Sequence, residues 1–174
     1  MIEANKETLK RDDFEVIKKL GDGNFTEVFK VEYKGNTGIY FALKICSMQK
    51  VKSLRRETDI IMEKHALNKI KEVYRTEPYL PTVRLYNTFK DISNLYFVTE
   101  ILTQKAELWE HCRSFGLISQ PLAKFTFRKV CESLAKLHRV GIIHRDIKVS
   151  LSSFHNTSFI ENVARKYVLE RELR

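Results

Sequence analysis

Polar and apolar residues alternate along the first third of this chain. Phe29, Val31 and Tyr33 are separated by Lys30, Glu32 and Lys34, the period of a strand with one buried face. The same reading predicts a strand from Phe14 to Gly23, a second from Phe25 to Lys34 and a third from Ile39 to Cys46, rich in β-branched and aromatic residues. Gly35-Asn36-Thr37-Gly38 supplies the turn before the third strand, because glycine and asparagine tolerate positive φ. An antiparallel meander is the expected result.

From Ser53 to Val73 the period becomes helical, with Ile60, Glu63, Leu67 and Ile70 on one face. Tyr79-Leu80-Pro81 interrupts it. Two more strands are predicted, Val83 to Phe89 and Leu95 to Leu102, joined by the turn residues Asp91, Ser93 and Asn94. A second helix opens at Ser119 as N-cap, tolerates Pro121 in its first turn, carries Phe127, Val130, Leu134 and Leu137 at helical spacing, and stops at Gly141. The final stretch, Leu151 to Arg174, starts polar and finishes as a highly charged helix.

At 174 residues, 43% hydrophobic and 30% charged, the chain can bury one real core and is unlike a disordered sequence. No apolar run reaches the roughly 20 residues of a membrane helix, and the charged start lacks the apolar stretch of a signal peptide. Cys46, Cys112 and Cys131 show no metal-ligand spacing. They read as reduced thiols, hence a cytoplasmic or nuclear compartment. The net charge of +9 is spread along the chain, which argues against a dedicated nucleic-acid surface.

Three features carry chemistry. Leu20-Gly21-Asp22-Gly23-Asn24-Phe25-Thr26-Glu27-Val28 lies on the first hairpin, where glycines let backbone N–H groups approach phosphates. Two glycines in a hairpin are by themselves usually turn chemistry. The next element is a strand and no Gly-Lys-Ser/Thr ending follows, so a P-loop is excluded. Lys44 sits inside the apolar run Ala42-Leu43-Lys44-Ile45 and needs a counter-ion if buried. A plainer alternative is an edge-strand lysine that reaches solvent. Glu63 interrupts an apolar helix face, which makes it the preferred partner, with Glu57 the runner-up.

The third feature is His144-Arg145-Asp146-Ile147-Lys148. An aspartate on a structured loop accepts a hydroxyl proton, and a lysine two residues on neutralises a transferring phosphoryl group. Taken in order with the glycine loop, Lys44 and Glu63, it resembles the signature set of eukaryotic-type protein kinases from about Phe14 to Ser150. Within them it looks most like the AGC group. Val83 to Asp91 and Asn94 to Val98 are similar to that group's fourth and fifth strands, and Thr26 at a usual glycine position is similar to phosphoinositide-dependent kinases.

The resemblance implies an α+β fold: a kinase N-lobe over 14–102, with a five-stranded antiparallel sheet and one helix, then a partial helical C-lobe over 103–150. Residues 1–13 are a polar lead-in and 151–174 a non-matching tail. It further implies that Leu20, Gly21, Gly23 and Phe25 cover the ATP phosphates. Val28 and Ala42 sandwich the adenine, and Lys44 holds the phosphates and pairs with Glu63. Thr99 backs the pocket, Glu100 and Leu102 offer the hinge backbone, and Glu107 meets the ribose. Asp146 is the implied base, and Lys148 favours serine or threonine in a protein substrate.

The pattern then breaks. Leu151 stands where kinases place an asparagine for the second Mg²⁺, and its side chain offers no oxygen to a hard cation. No Asp-Phe-Gly or Ala-Pro-Glu follows, and Asn156 lies out of register. The expectation is a kinase sequence interrupted after the His-Arg-Asp loop, with the usual Mg²⁺ ligands absent and phosphoryl transfer weak or lost. The alternative is a non-catalytic pseudokinase that binds ATP or a protein partner. Leu67, Leu95 and His144 match three members of the hydrophobic stack that links kinase lobes. The helix Ser119 to Val140 is expected to expose apolar surface that a partner covers.

Overall fold

The computed structural model describes residues 9–101, 119–145, 147 and 168–169. The chain divides into two units, each discontinuous in sequence: Met1–Glu57 with Leu85–Ile101, and Thr58–Arg84 with Leu102–Arg174.

The first unit is a five-stranded antiparallel sheet. Its strands are β1 (Phe14–Asp22), β2 (Thr26–Tyr33), β3 (Tyr40–Ser47), β4 (Leu85–Lys90) and β5 (Asn94–Thr99). They lie in the order β1-β2-β3-β5-β4, so β3 is central and hydrogen-bonded on both sides. Directly opposed residues share a face, and the register sorts the chemistry accordingly. One face holds Phe14, Val31, Phe41, Leu43, Phe89, Tyr96 and Val98, which form the unit's buried cluster. Phe14 stacks on Phe89 at 5.9 Å between ring centroids, Phe89 stacks on Tyr96 at 4.6 Å, and Phe41 meets Phe14 edge-on at 6.4 Å. Each such ring pair adds about 1 kcal/mol beyond its area burial. The other face is left for function.

The β4–β5 turn is locked by one carboxylate. Asp91 Oδ1 accepts from the backbone N–H of Ser93 at 2.7 Å and of Asn94 at 2.6 Å, while Oδ2 accepts from the Tyr96 hydroxyl at 2.6 Å. The Tyr96 bond and those backbone donors hold the Asp91 carboxyl below the usual aspartate range. Burial first, and then the Asp91 bond, push the Tyr96 phenol up.

The helix expected to start at Ser53 begins differently. Ser47 caps a short helix, α1 (Met48–Ser53), its side chain accepting from the Lys50 N–H. Arg55 then takes φ +52°. The Arg55 N–H bonds Lys52 O and the Arg56 N–H bonds Val51 O, the paired closure of a Schellman motif. A separate helix, α2 (Glu57–Val73), follows. This break escaped the periodicity because α1 buries only Val51, and because an arginine occupies a position that glycine usually marks.

In the second unit α2 buries Ile60, Glu63, Ala66, Leu67 and Ile70, the predicted face with Ala66 added. Helix α3 (Gln120–Arg139) has Ser119 at its N-cap, but the serine side chain makes no cap bond there. It ends as predicted: the Gly141 N–H bonds His138 O, and Gly141 has φ +68°, a conformation open to glycine at little cost. Tyr74 donates its hydroxyl to Lys136 O at 2.7 Å, and Lys136 Nζ lies 2.6 Å from Glu77 Oε2 and 3.2 Å from Tyr79 O. These bonds fasten the segment after α2 to α3.

A two-residue strand, β6 (Ile142–Ile143), pairs antiparallel with β7 (Val168–Leu169). A charged helix was expected to run through the end of the chain. At Val168–Leu169 that expectation is corrected, since pairing with β6 satisfies backbone groups that a helix would satisfy internally. The strand expected over Leu95 to Leu102 likewise stops at Thr99.

Candidate nucleotide site

The face of the sheet opposite the aromatic cluster gathers Gly21, Val28, Ala42, Lys44 and Thr99 from among the residues singled out from the sequence. Gly21 pairs with Val28, Val28 with Lys44 and Lys44 with Phe97. That is one continuous cross-strand row from β1 to β5. In a neighbouring row Lys30 pairs with Ala42 and Ala42 with Thr99. The Thr99 hydroxyl donates to Ala42 O at 3.3 Å, which ties the two strands at this point. On the other side of Lys44, Thr26 pairs with Cys46 and Cys46 with Leu95.

Lys44 is 8% exposed and on the central strand, which removes the edge-strand reading. Its Nζ lies 5.5 Å from the centroid of the Phe97 ring, a cation–π contact that partly compensates its desolvation. Glu63 is 4% exposed. A carboxylate that deep needs a charged or hydrogen-bonding partner. Glu57, the runner-up, is exposed.

The glycine hairpin is short and tied down. The Gly23 N–H donates to Thr26 O at 2.7 Å, and the Ser47 N–H donates to Phe25 O at 3.0 Å. On the aromatic-cluster face Lys19 Nζ meets Glu27 Oε1 at 2.7 Å across the root of the hairpin, and this bond holds the Glu27 carboxyl below its ordinary range. Gly21 is informative for what it lacks. A Cβ built there meets nothing within 4 Å, and its φ is not in the left-handed region. Neither packing nor backbone conformation requires glycine at this position. What glycine does there is keep open the space over the Val28–Lys44 row, a cradle of the kind a phosphate or ribose fills.

In the second unit His144 is 2% exposed at the exit of β6, and Arg145 follows at φ +65°. A bulky non-glycine residue in that conformation carries strain on the order of 1–2 kcal/mol, which clusters at functional sites. Leu20 and Phe25 are half-buried around the hairpin, and Glu100 is half-buried just past β5. Leu102, Glu107, Asp146 and Lys148 lie outside the described residues. The sequence reading missed Phe97. The strand period of Leu95 to Val98 places it on the lysine face, so the signal was available.

The first unit is thus an antiparallel sheet with a glycine hairpin at one end and a buried lysine on its central strand. The chain belongs to the protein kinase family, for the model described as "Protein kinase domain" matches residues 14–150. That match ends two residues beyond Lys148. Relatives include cGMP-dependent protein kinase 2 of Rattus norvegicus, 34% identical over 78% of this chain, and an Aurora kinase of Candida albicans, 32% identical over 82%. A 3-phosphoinositide-dependent protein kinase 1 of Arabidopsis thaliana is 30% identical over 83%. The alignments cover 17%, 25% and 28% of those relatives' own lengths.

Proposed function

We propose that this chain binds ATP on the Gly21–Val28–Lys44 face of its sheet and transfers phosphoryl groups to protein serine or threonine slowly or not at all. The observation that carries the reading is the cross-strand row itself. It sets a vacant glycine cradle, an apolar platform and a buried cation on one surface. ATP would bring the transferable phosphoryl group. Val28 and Ala42 would receive the base, Lys44 would neutralise phosphate charge, and Thr99 would border the base. Glu100 and Leu102 would present backbone to the base, and Glu107 a carboxylate to the ribose. Asp146 would orient and deprotonate the substrate hydroxyl, with Lys148 beside it.

The Mg²⁺ that serves such transfer is poorly provided for. Leu151 holds the position where the kinase resemblance places an asparagine, and its side chain offers no oxygen to a hard cation. Charge neutralisation supplies most of the rate in phosphoryl transfer, so these residues favour binding over turnover.

Titration calorimetry of the whole chain with ATP tests the first half. Binding should weaken about tenfold or more in Lys44→Met, since a buried charge-assisted contact contributes roughly 1.5–3 kcal/mol. Absence of heat at about 1 mM ATP, where a weak site of roughly −4 kcal/mol would still register, overturns nucleotide binding. Rapid labelling of a generic protein substrate with radiolabelled ATP overturns the second half.

A further inference from the structure

Helix α3 turns an apolar stripe outward. Phe127, Val130, Cys131 and Leu134 recur at i, i+3, i+4 and i+7, so they line one side of the helix. Phe127 is 70% exposed, Cys131 is exposed, and Val130 and Leu134 are only half-buried. Leu137, in the last turn, is fully buried. The helix is therefore packed at its C-terminal end and open over the stripe before it. Apolar surface gathered in this way marks a contact that the chain is built to make.

The chain itself returns to this helix. Strand β6 follows α3 after only Val140 and Gly141, and it pairs Ile143 with Val168 and Ile142 with Leu169 of β7. The last part of the sequence is therefore anchored beside the C-terminal turn of α3. Leu169 faces Ile142, the β6 residue nearer the helix. Glu170 and Glu172 come next in the sequence, and the last turn of α3 presents exposed His138 and Arg139, so acidic residues follow the anchor where the helix is basic.

The stretch between the two paired strands, 144–167, is long enough to reach the stripe and come back. Phe127 lies about 21 Å along the helix from Gly141, and a dozen extended residues span roughly 40 Å. The returning part has the matching pattern. Ser158-Phe159-Ile160-Glu161 has the spacing of a capping box, and Ile160, Val163 and Tyr167 follow at helical intervals. A segment tethered so closely has an effective concentration on the order of millimolar, far above that of a free second copy in dilute solution.

We infer that the chain covers its own helix: residues 158–167 lie along α3, with Ile160 and Val163 against Phe127, Val130, Cys131 and Leu134. The β6–β7 pair fixes one end of this contact and the α3 stripe forms its floor.

The test uses Cys131 as a reporter in the full chain carrying Cys112→Ser, since Cys46 is buried. With oxidised glutathione, Val163→Cys should form an intramolecular disulfide to Cys131 about fivefold or more faster than Asn162→Cys, which points off the stripe. Separately, Val163→Asp should speed labelling of Cys131 by a maleimide about fivefold or more. Equal disulfide rates at positions 162 and 163 overturn the inference, because a freely moving tail would not distinguish them. A labelling rate indifferent to Val163→Asp overturns it as well. Light scattering over a concentration series should show a monomer. A dimer that Phe127→Asp dissociates would give the stripe to a second copy instead, and overturns the inference by a route that leaves the fold of the helix unquestioned.

Discussion

Arg55 is held at φ +52° to close α1, and nothing in its own chemistry favours that conformation. The left-handed region places Cβ against the following carbonyl, which costs roughly 1–2 kcal/mol for a residue other than glycine. Arg55→Gly should therefore raise stability by about 1 kcal/mol, less whatever the greater freedom of glycine in the unfolded chain subtracts. Urea unfolding midpoints at constant slope are the measurement, and a destabilised variant would show that the arginine side chain outweighs its backbone strain. The residue scale also separates what was legible from what was not. Lys44 and Glu63 stood out because each interrupts an apolar pattern, and both are buried. The positive φ of Arg55 and Arg145 was not legible, because an arginine carries no sequence signal for it.

At the scale of elements, the β4–β5 hairpin shows how one carboxylate does the work of a turn. Asp91 accepts from two backbone amides and from Tyr96, whose ring is also the end of the Phe14–Phe89–Tyr96 stack. Turn and core are therefore coupled through a single phenol. Because the folded-state pKa of Asp91 is depressed, its contribution is present above the unfolded value of about 4 and is lost as the pH falls through the folded value. Tyr96 has the opposite sign. Its folded pKa is raised, so its contribution is complete below about pH 10 and is lost as the pH rises through the folded value. Tyr96→Phe should cost about 1 kcal/mol at neutral pH, a figure already reduced for the exposure of Asp91. It should also flatten both limbs of the stability–pH curve. Unchanged limbs in that variant would mean that other groups govern the titration. The hairpin turn was readable from Asp91, Ser93 and Asn94, but its link to the aromatic stack required strand pairing to be known.

The largest scale concerns contacts between parts of the chain far apart in sequence. Helix α3 buries Leu137 completely yet leaves Phe127 70% exposed, although both belong to one predicted apolar face. Its C-terminal turn is fastened by Lys136 and Tyr74, which are 62 residues apart. Lys136→Met keeps the stem beside the Tyr74 ring and removes the ion pair with Glu77. It should cost about 0.5 kcal/mol at low salt and less at high salt, because both partners reach solvent. Tyr74→Ala removes a buried ring as well as a bond and should cost about 3–4 kcal/mol. Thermal unfolding of the two variants across a salt series checks both the ordering and the screening. Equal losses would mean that the ion pair, not the ring, fastens the helix.

The sequence alone determined which residues share a strand or helix face, because strand and helix periods are local properties of the backbone. It likewise determined family membership, through motifs spaced along one chain. Tertiary structure alone decided that β3 is the central strand, and so that Lys44 is buried rather than at an edge. It also decided that Gly21, Val28, Lys44 and Phe97 form a single row and that α1 is a separate helix. Those outcomes depend on pairing register and strand order. Register and order are set by which faces can be buried together, a property of the assembled sheet that no single strand contains.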